Sequence, residues 1–344
     1  MLDIQTNISL KEYNTFHVDQ NAKYFTEVKS ISDIYDLLDS NIYKENKHVI
    51  LWWWANVLFT TDFEWLVIKL NILSREVLRE TEEDIILKIW AGEDRHQFVM
   101  RCVENNYGWI ENLVYVPWTI WACPIQNIGA YWTEVSQSIY QVYWVNLESK
   151  AEIVLNNSDC KFSYRDSIFK HDLKDRFIIT HVSFRLKKVT SDYRLNLNYK
   201  DILQKIQDLN LRTEDLSIQD IANIIMEIRR YKLPDWNQIW TAWSFFQNPI
   251  ISKKQYLLLK EEHPELIWFD VDDFNIKLSA GQLIEICGFK WYRDGDAGVY
   301  ENHALVLVNY GAATWNNILN LSEKIQNKVS EVFNVKIIPE VNFI

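Results

Sequence analysis

Glycine is so scarce in this chain that few places remain where the backbone can turn tightly without a side chain. The 344 residues include only 8 glycines but 16 tryptophans, and that glycine content is roughly 2% against a usual ~7%. Glycine is the residue that adopts positive φ easily and lets the backbone come close to a ligand. The imbalance predicts that tryptophan stands at places where glycine is usual.

Charge and cysteine usage exclude several classes of protein. The formal net charge is -11, which argues against a surface that binds nucleic acid or an anionic membrane. The first ten residues do not read as a signal peptide, and no apolar run reaches the ~18 residues of a membrane span. The four cysteines are far apart and form no Cys-x-x-Cys pair, so neither a metal site nor a disulfide framework is expected. We expect a cytoplasmic monomer.

The order of short strands and helices is typical of an α+β protein. The first 60 residues read as strand, helix and strand, with Tyr24 to Val28 and His48 to Leu51 as the strands and Ser32 as the helix cap. The clearest helix is predicted from Ser217 to Tyr231, where Ser217 and Asp220 resemble a capping box. Other strands are predicted at 66–70, 84–89, 177–179, 181–186, 303–309 and 335–338, and other helices at 94–105 and 314–333.

The chain is predicted to have three parts. Residues 1–70 form a first subdomain and residues 71–231 a second, larger one. Residues 232–344 form a separate domain that begins after the helix ending near Tyr231, and its final strand returns toward the preceding part.

Three segments carry residue types suited to chemistry. The first, 124–131, sets the amides of Gln126 and Asn127 beside Gly129, a turn that could hold phosphates or a polar ring edge. An ordinary turn that satisfies its own backbone is the favoured alternative. The second, 164–170, contains Arg165, which could clamp a carboxylate or steady an enolate. Its alternative is a solvated charged face with an Asp166–Lys170 pair.

The third segment, 244–249, places Ser244 beside two phenylalanines and an amide. No G-x-S-x-G elbow surrounds this serine, and spacing sets none of the seven histidines as its base. A hydrolase triad is therefore weakly supported.

Taken together, these segments resemble a known family, the UDP-N-acetylenolpyruvoylglucosamine reductases. The matching segments occur in the family's order over nearly the whole chain: 14–16, 56–59, 91–93, 111–113, 124–131, 164–170, 232–235, 244–246 and 339–340. The resemblance implies a PCMH-type (vanillyl-alcohol-oxidase-like) FAD-binding fold with a C-terminal α+β substrate domain. It also implies reduction of a UDP-sugar enolpyruvyl ether during peptidoglycan synthesis, with NADPH as hydride donor and FAD as cofactor.

The resemblance implies a role for individual residues. Ser244 matches the proton donor, and Arg165 and Glu340 match the residues at the substrate carboxylate and enol. Three positions match residues that hold the UDP-sugar: Tyr199, Lys232 and Asn248. The positions that match the flavin-binding segments are Trp53, Trp54, Ala55, Asn56, Gln126, Asn127, Ile128 and Gly129.

Tryptophan departs from the family pattern at several family glycines. The flavin pyrophosphate loop, a glycine run in the family, here contains Trp52, Trp53 and Trp54. The other tryptophans at family glycines are Trp90, Trp118, Trp121, Trp132, Trp240 and Trp243. Left-handed strain and overpacking at all of these sum to about 20 kcal/mol, more than the ~5–15 kcal/mol that stabilises a domain.

Two readings therefore stand beside a working flavoenzyme. The first is a flavin-free protein that still binds a UDP-sugar through Tyr199, Lys232 and Asn248. The second, weaker reading is a carbohydrate binder that uses the tryptophans as an aromatic platform.

Overall fold

The computed structural model describes residues 2–51, 57–235 and 238–344, and these fall into two compact units. The first unit comprises residues 2–8, 23–51 and 64–229. The second comprises residues 9–22, 57–63, 230–235 and 238–344. Each unit encloses a hydrophobic core of its own. These two units do not test the predicted division of the chain into three parts, which stays a prediction.

Strands and helices alternate irregularly along the described chain. The strands are β1 Ile4–Ser9, β2 Asn21–Val28, β3 His48–Leu51, β4 Val57–Leu58, β5 Phe63–Leu70, β6 Arg75–Glu80, β7 Asp84–Trp90, β8 Tyr107–Gly108, β9 Gly129–Ala130, β10 Thr133–Glu134, β11 Ile139–Asn146, β12 Glu152–Asn156, β13 Phe177–Lys188, β14 Trp240–Ser244, β15 Ile250–Ser252, β16 Trp268–Asp270, β17 Asn275–Leu278, β18 Arg293–Asp294, β19 Ala297–Val299, β20 Val306–Asn309 and β21 Asn342–Phe343. The helices are α1 Ile31–Asp39, α2 Asn41–Glu45, α3 Arg95–Glu104, α4 Ala122–Ile125, α5 Lys200–Asp208, α6 Ile218–Lys232, α7 Lys253–Glu262, α8 Ala280–Ile286 and α9 Trp315–Phe333.

The first unit is built on two sheets. One has the order β1-β2-β5-β3, and β3 runs parallel to β5. The other has the order β12-β11-β13-β7-β6, with β8 paired to β13. Strand β13 is buried along most of its length because it is central in this sheet. Apolar residues of α3 and α6, such as Phe98, Val99 and Ile225, belong to the same core.

The second unit contains a sheet of order β14-β20-β19-β18 and a smaller sheet of order β15-β17-β16. Helix α9 buries Ile318, Leu321, Ile325 and Val329, spaced three or four residues apart as one face of a helix requires. The C-terminal strand β21 pairs in parallel with β4, which comes from much earlier in the chain.

Several predicted elements are confirmed and others are wrong in detail. The Ser217–Asp220 capping box forms, because the backbone amide of each residue donates to the other's side chain, at 2.9 Å and 3.2 Å. The predicted cap Ser32 lies inside α1. Ser30 caps this helix instead, and its hydroxyl accepts from the Asp33 amide at 3.1 Å.

Two strand predictions need correction. Residues 177–179 and 181–186 form one continuous strand, β13, rather than separate segments. Residues 335–338 alternate buried and exposed but form no strand. Their segment meets its neighbour through an isolated bridge between Phe246 and Pro339, and a proline has no N–H to extend a ladder.

Among the described residues, no helix is both long and apolar enough to cross a bilayer.

Candidate functional site

The two polar segments predicted in the first unit lie against each other. Arg165 donates from Nη2 to the carbonyl oxygen of Gly129 at 2.9 Å. Ser167 donates its hydroxyl to the Ile125 carbonyl at 2.6 Å. A Cβ at Gly129 would lie 3.2 Å from Nη1 of Arg165 and 3.1 Å from the Thr133 carbonyl oxygen. Glycine is therefore the residue that lets the guanidinium approach this loop.

Arg165 also has an unusual backbone. Its φ is 55°, in the left-handed region that a side chain makes unfavourable. Strain of this kind concentrates at functional sites. Lys170 donates to the Arg165 carbonyl at 3.0 Å, so the segment folds back on itself and holds the arginine in place.

The expected Asp166–Lys170 ion pair is wrong. Asp166 pairs instead with His171, whose Nε2 lies 2.7 Å from Oδ2. The reason is that residues 168–170 form a single 3₁₀ turn rather than an α-helix, so an i,i+4 pair on one helix face does not arise.

Asn127 is buried, and protein groups already engage its side-chain amide. Its Nδ2 donates to Glu134 Oε2 at 2.7 Å and to the Ser163 carbonyl at 3.0 Å. Its Oδ1 accepts from the Ser136 amide at 3.1 Å. The side chain therefore fixes the shape of the 126–129 loop. The direct cofactor contacts of Gln126, Asn127, Ile128 and Gly129 remain predictions.

Tyr199, a predicted substrate contact, is the N-cap residue of α5 and packs edge-on against Tyr131 at 4.8 Å between ring centroids. Burial, with the nearby charge of Asp201, raises the pKa of Tyr199 to about 12. Burial lowers the pKa of the neighbouring Arg229, and the Tyr131 hydroxyl opposes this shift. A cation is thus held among tyrosines in the first unit.

Arg229 is not among the residues predicted from the sequence. This side chain donates from Nε to the Tyr115 carbonyl at 2.8 Å. One signal could have found it, because Arg229 lies four residues after Ile225 and so on the apolar face of α6.

In the second unit, Ser244 and Glu340 are close neighbours in the backbone network. Ser244 ends β14, and a bulge shifts the pairing with β20 between Thr241 and Ser244. The Glu340 amide donates to the carbonyl of Phe245, the next residue, at 2.8 Å. Both side chains are half-buried. The predicted catalytic serine and glutamate are therefore brought together by adjacent chain segments.

The other two predicted UDP-sugar residues also lie in the second unit. Lys232 ends α6 and is half-buried. Asn248 is half-buried too, and its Oδ1 accepts from the Ala280 amide at 2.9 Å, which ties it to the start of α8. Four predicted flavin residues, Trp53, Trp54, Ala55 and Asn56, lie outside the described residues.

Tryptophans flank the 126–129 loop at places shaped for glycine. Trp118 has φ 85° and Trp132 has φ 60°, and each such conformation costs about 1–2 kcal/mol for a residue with a side chain. The buried indole N–H of Trp118 has no hydrogen-bond acceptor among the described residues. These two tryptophans therefore strain the backbone on either side of the 126–129 loop.

Solved structures share this fold. The crystal structure of UDP-N-acetylenolpyruvylglucosamine reductase from Thermus caldophilus covers 100% of this chain and 99% of its own, with TM-score 0.68 and 19% identity. The Physcomitrella patens BBE-like 1 protein covers 97% of this chain and 87% of its own, with TM-score 0.50 and 10% identity. These likenesses show that the chain has an α+β, vanillyl-alcohol-oxidase-like fold, which confirms the predicted fold class.

Sequence relatives narrow this class to one family. A chain from Flavobacterium johnsoniae named UDP-N-acetylenolpyruvoylglucosamine reductase is 39% identical over 100% of both chains. One of the same name from Chromobacterium violaceum is 38% identical over 98% of each. The family model for the C-terminal domain of that reductase matches residues 235–344. The chain belongs to the UDP-N-acetylenolpyruvoylglucosamine reductase family, as the resemblance predicted.

Proposed function

We propose that this protein reduces UDP-N-acetylenolpyruvoylglucosamine to UDP-N-acetylmuramate in peptidoglycan synthesis, with NADPH as hydride donor. The observation that carries the proposal is full-length similarity to reductases of that name, joined to the close placement of Ser244 and Glu340. FAD is the cofactor of the working protein, and the form with tryptophan in the flavin loop is impaired. We also propose that the enzyme is a cytoplasmic monomer with the three-part domain division given above.

The chemistry assigns a task to each polar residue. Adding hydride to an enolpyruvyl double bond leaves negative charge beside the carboxylate, and this carbon must then receive a proton. Ser244 Oγ is the proposed proton donor. Arg165 steadies the developing charge, and Glu340 orients the substrate near the enol.

The proposed residues that bind the UDP-sugar are Tyr199, Lys232 and Asn248. Lys232 supplies local positive charge for the diphosphate in a chain whose formal net charge is -11. Tyr199 contributes an aromatic ring with a neutral hydroxyl, because its pKa of about 12 keeps the phenol protonated at neutral pH.

The first test of this function is flavin content. Replacing Trp52, Trp53 and Trp54 by glycine and Ala55 by serine is expected to recover flavin binding more than any other block of changes, because this loop must let backbone N–H groups touch the pyrophosphate. Flavin absorbance after gel filtration measures it. Stoichiometric FAD in the unaltered chain would show that the steric argument is wrong.

The second test separates Ser244 from a structural role. In the glycine-restored chain, Ser244→Ala should leave flavin reduction by NADPH intact and nearly abolish reoxidation by the enolpyruvyl substrate, because only the second half-reaction needs the proton. Stopped-flow absorbance follows both. Ser322→Ala is the matched control, since this serine is buried in α9 with no hydrogen-bond partner for its hydroxyl among the described residues. Equal loss of both half-reactions would mean that Ser244 is structural.

A flavin-free UDP-sugar binder is the second candidate, and the tryptophans at family glycines favour it. The two candidates differ in flavin absorbance, because only the reductase binds FAD. A colourless restored chain that binds the UDP-sugar and is weakened by Lys232→Ala would support the binder and contradict the reductase.

A further inference from the structure

Within the described part of the chain, tryptophan occupies left-handed backbone positions more often than glycine does. Among the described residues, positive φ is found at only two glycines, Gly288 and Gly295. It is found at five tryptophans: Trp109, Trp118, Trp132, Trp243 and Trp291, with φ between 60° and 85°. A bulky residue at positive φ is a genuine outlier, whereas glycine adopts it freely. The usual preference is therefore inverted.

Trp243 stands at a place where β-sheets specifically use glycine. It lies in the bulge of β14 with φ 63°, and its amide donates to the Thr241 hydroxyl at 3.0 Å. A bulge with its first residue in the left-handed conformation takes glycine at that residue. Trp243 is nevertheless 4% exposed and directly precedes Ser244. The side chain at this position is thus forced into the packing beside the proposed proton donor.

Trp118 combines a left-handed backbone with a buried indole N–H that has no acceptor among the described residues. Its φ is 85°, the largest among these tryptophans, and its buried indole N–H lacks an acceptor within the described chain. The fully buried guanidinium of Arg95 lies 5.6 Å from its ring and donates to the Val116 carbonyl at 3.3 Å. The cation faces the indole ring, but it cannot accept a hydrogen bond, so the buried indole N–H stays without an acceptor among the described residues.

Trp109 and Trp291 extend the pattern beyond the positions that the resemblance identified. Trp109 follows Gly108, whose Cβ would lie 2.4 Å from the Tyr193 ring, and the Trp109 amide donates to the Tyr193 hydroxyl at 2.7 Å. The turn therefore runs tightly against this tyrosine. Trp291 is 71% exposed with φ 68°, so no packing compensates for its backbone.

We propose that these five positions are glycine in the working protein, because a codon written as tryptophan is decoded as glycine in the cells that make it. Composition points the same way, since 8 glycines among 344 residues are far fewer than the usual ~7%. The inference rests on the proposed function only where it concerns flavin, because backbone geometry alone selects the five positions.

Peptide mass spectrometry of the protein purified from the cells that make it is the direct test. The peptides that contain positions 109, 118, 132, 243 and 291 should each be lighter by the mass difference between tryptophan and glycine. Tryptophan at these positions in the natural protein would overturn the proposal.

A second test uses the recombinant chain and needs no flavin. Trp109→Gly should raise the thermal unfolding midpoint, because it relieves a left-handed conformation. Tyr140→Gly is the matched control: Tyr140 is 42% exposed against 43% for Trp109 but lies in strand β11, so its loss should lower the midpoint. A fall in the midpoint for Trp109→Gly as large as for the control would contradict the proposal.

The glycine form also separates this inference from the proposed function. If the five-site glycine chain with the restored 52–55 loop is more stable but takes up no FAD, the proposed function fails and the glycine assignment stands. If the tryptophan chain is as stable as the glycine form and holds stoichiometric FAD, the glycine assignment fails and the proposed function stands.

Discussion

At the scale of single residues, His181 is a buried base in a hydrophobic setting. It lies in β13 between the rings of Tyr143 and Trp90, with centroids 4.0 Å and 5.1 Å away. Its Nδ1 is 3.0 Å from the Thr180 hydroxyl, and Nε2 has no partner among the described residues. Burial, with the charge of Lys88, lowers the pKa of His181 to about 3.

This shift predicts acid sensitivity with a definite sign. The unfolded chain protonates His181 below about pH 6.5, while the folded chain resists protonation down to about pH 3. Stability is therefore fully present above pH 6.5 or so and falls as the pH drops, by at most about 5 kcal/mol. His181→Phe should flatten the decline of urea unfolding free energy over that range. An unchanged decline in His181→Phe would mean that other groups cause the acid sensitivity.

Residue identities of the candidate site could be predicted from the sequence, but the contacts could not. The amides of the 126–129 loop and Arg165 could be proposed as site residues because their motifs are unusual in composition, and their contacts with cofactor and substrate stay predictions. Arg165 donates to Gly129, and Asn127 donates its side-chain amide to the Ser163 carbonyl. Each contact joins two segments that are 36 residues apart in the chain. No local pattern encodes such a meeting.

At the scale of elements, α9 shows how one capping pair fixes the start of a helix. Thr314 is its N-cap, and its hydroxyl accepts from the Asn317 amide at 3.3 Å. Asn317 Oδ1 in return accepts from the Thr314 amide at 2.9 Å. The predicted start at residue 314 is thus correct to within one residue, since the cap precedes Trp315.

Two adjacent asparagines allow a matched test of this cap. Asn317→Ala should lower the free energy of unfolding by about 0.5–1 kcal/mol, because it removes the reciprocal half of the capping box. Asn316→Ala, an exposed position in the same helical turn, should be neutral or slightly stabilising. Urea unfolding followed by circular dichroism measures both. Equal effects for the two variants would contradict the capping argument.

Element types could be predicted where the hydrophobic periodicity extends over several helical turns. The predictions were wrong where a strand forms only if a pairing partner lies beside it. Helices α3, α6 and α9 each have a polar cap and an apolar face, so local chemistry suffices. Residues 335–338 alternate like a strand, yet the backbone around them bonds through Gln247, whose amide donates to the Ile338 carbonyl at 2.8 Å. Whether an extended segment becomes a strand depends on a neighbour that the local sequence does not specify.

At the scale of the whole molecule, the second unit is assembled from distant pieces of chain. Phe16 and Leu58 are fully buried in its core, although they come from residues 9–22 and 57–63. The side-chain Nδ2 of Asn309 donates to the Phe16 carbonyl at 2.8 Å. The Thr60 amide donates to the Ile344 carbonyl at 2.7 Å. The core of the second unit is therefore formed by residues from both the N-terminal and the C-terminal parts of the chain.

This assembly predicts that residues 230–344 do not fold when expressed alone. The fragment lacks Phe16, Val18 and Leu58, and burying side chains of this size contributes about 1.5–3 kcal/mol each. Their combined loss is comparable to the ~5–15 kcal/mol that stabilises a whole domain. We expect no cooperative thermal transition by circular dichroism and poorly dispersed amide signals by NMR. A cooperative transition at the midpoint of the full chain would show that residues 9–22 and 57–63 are dispensable.

A pair of point variants in the full chain tests the same argument without truncation. Phe16→Ala should cost about 3–5 kcal/mol of unfolding free energy, because it opens a cavity in a core where Phe16 packs edge-on against Phe245 at 6.1 Å between centroids. Phe274→Ala removes the same ring from a site that is 78% exposed, so its cost should stay within ~0.5 kcal/mol. Denaturant midpoints at matched slopes give both values. Similar costs for the two variants would mean that the early segment does not help to hold the second unit together.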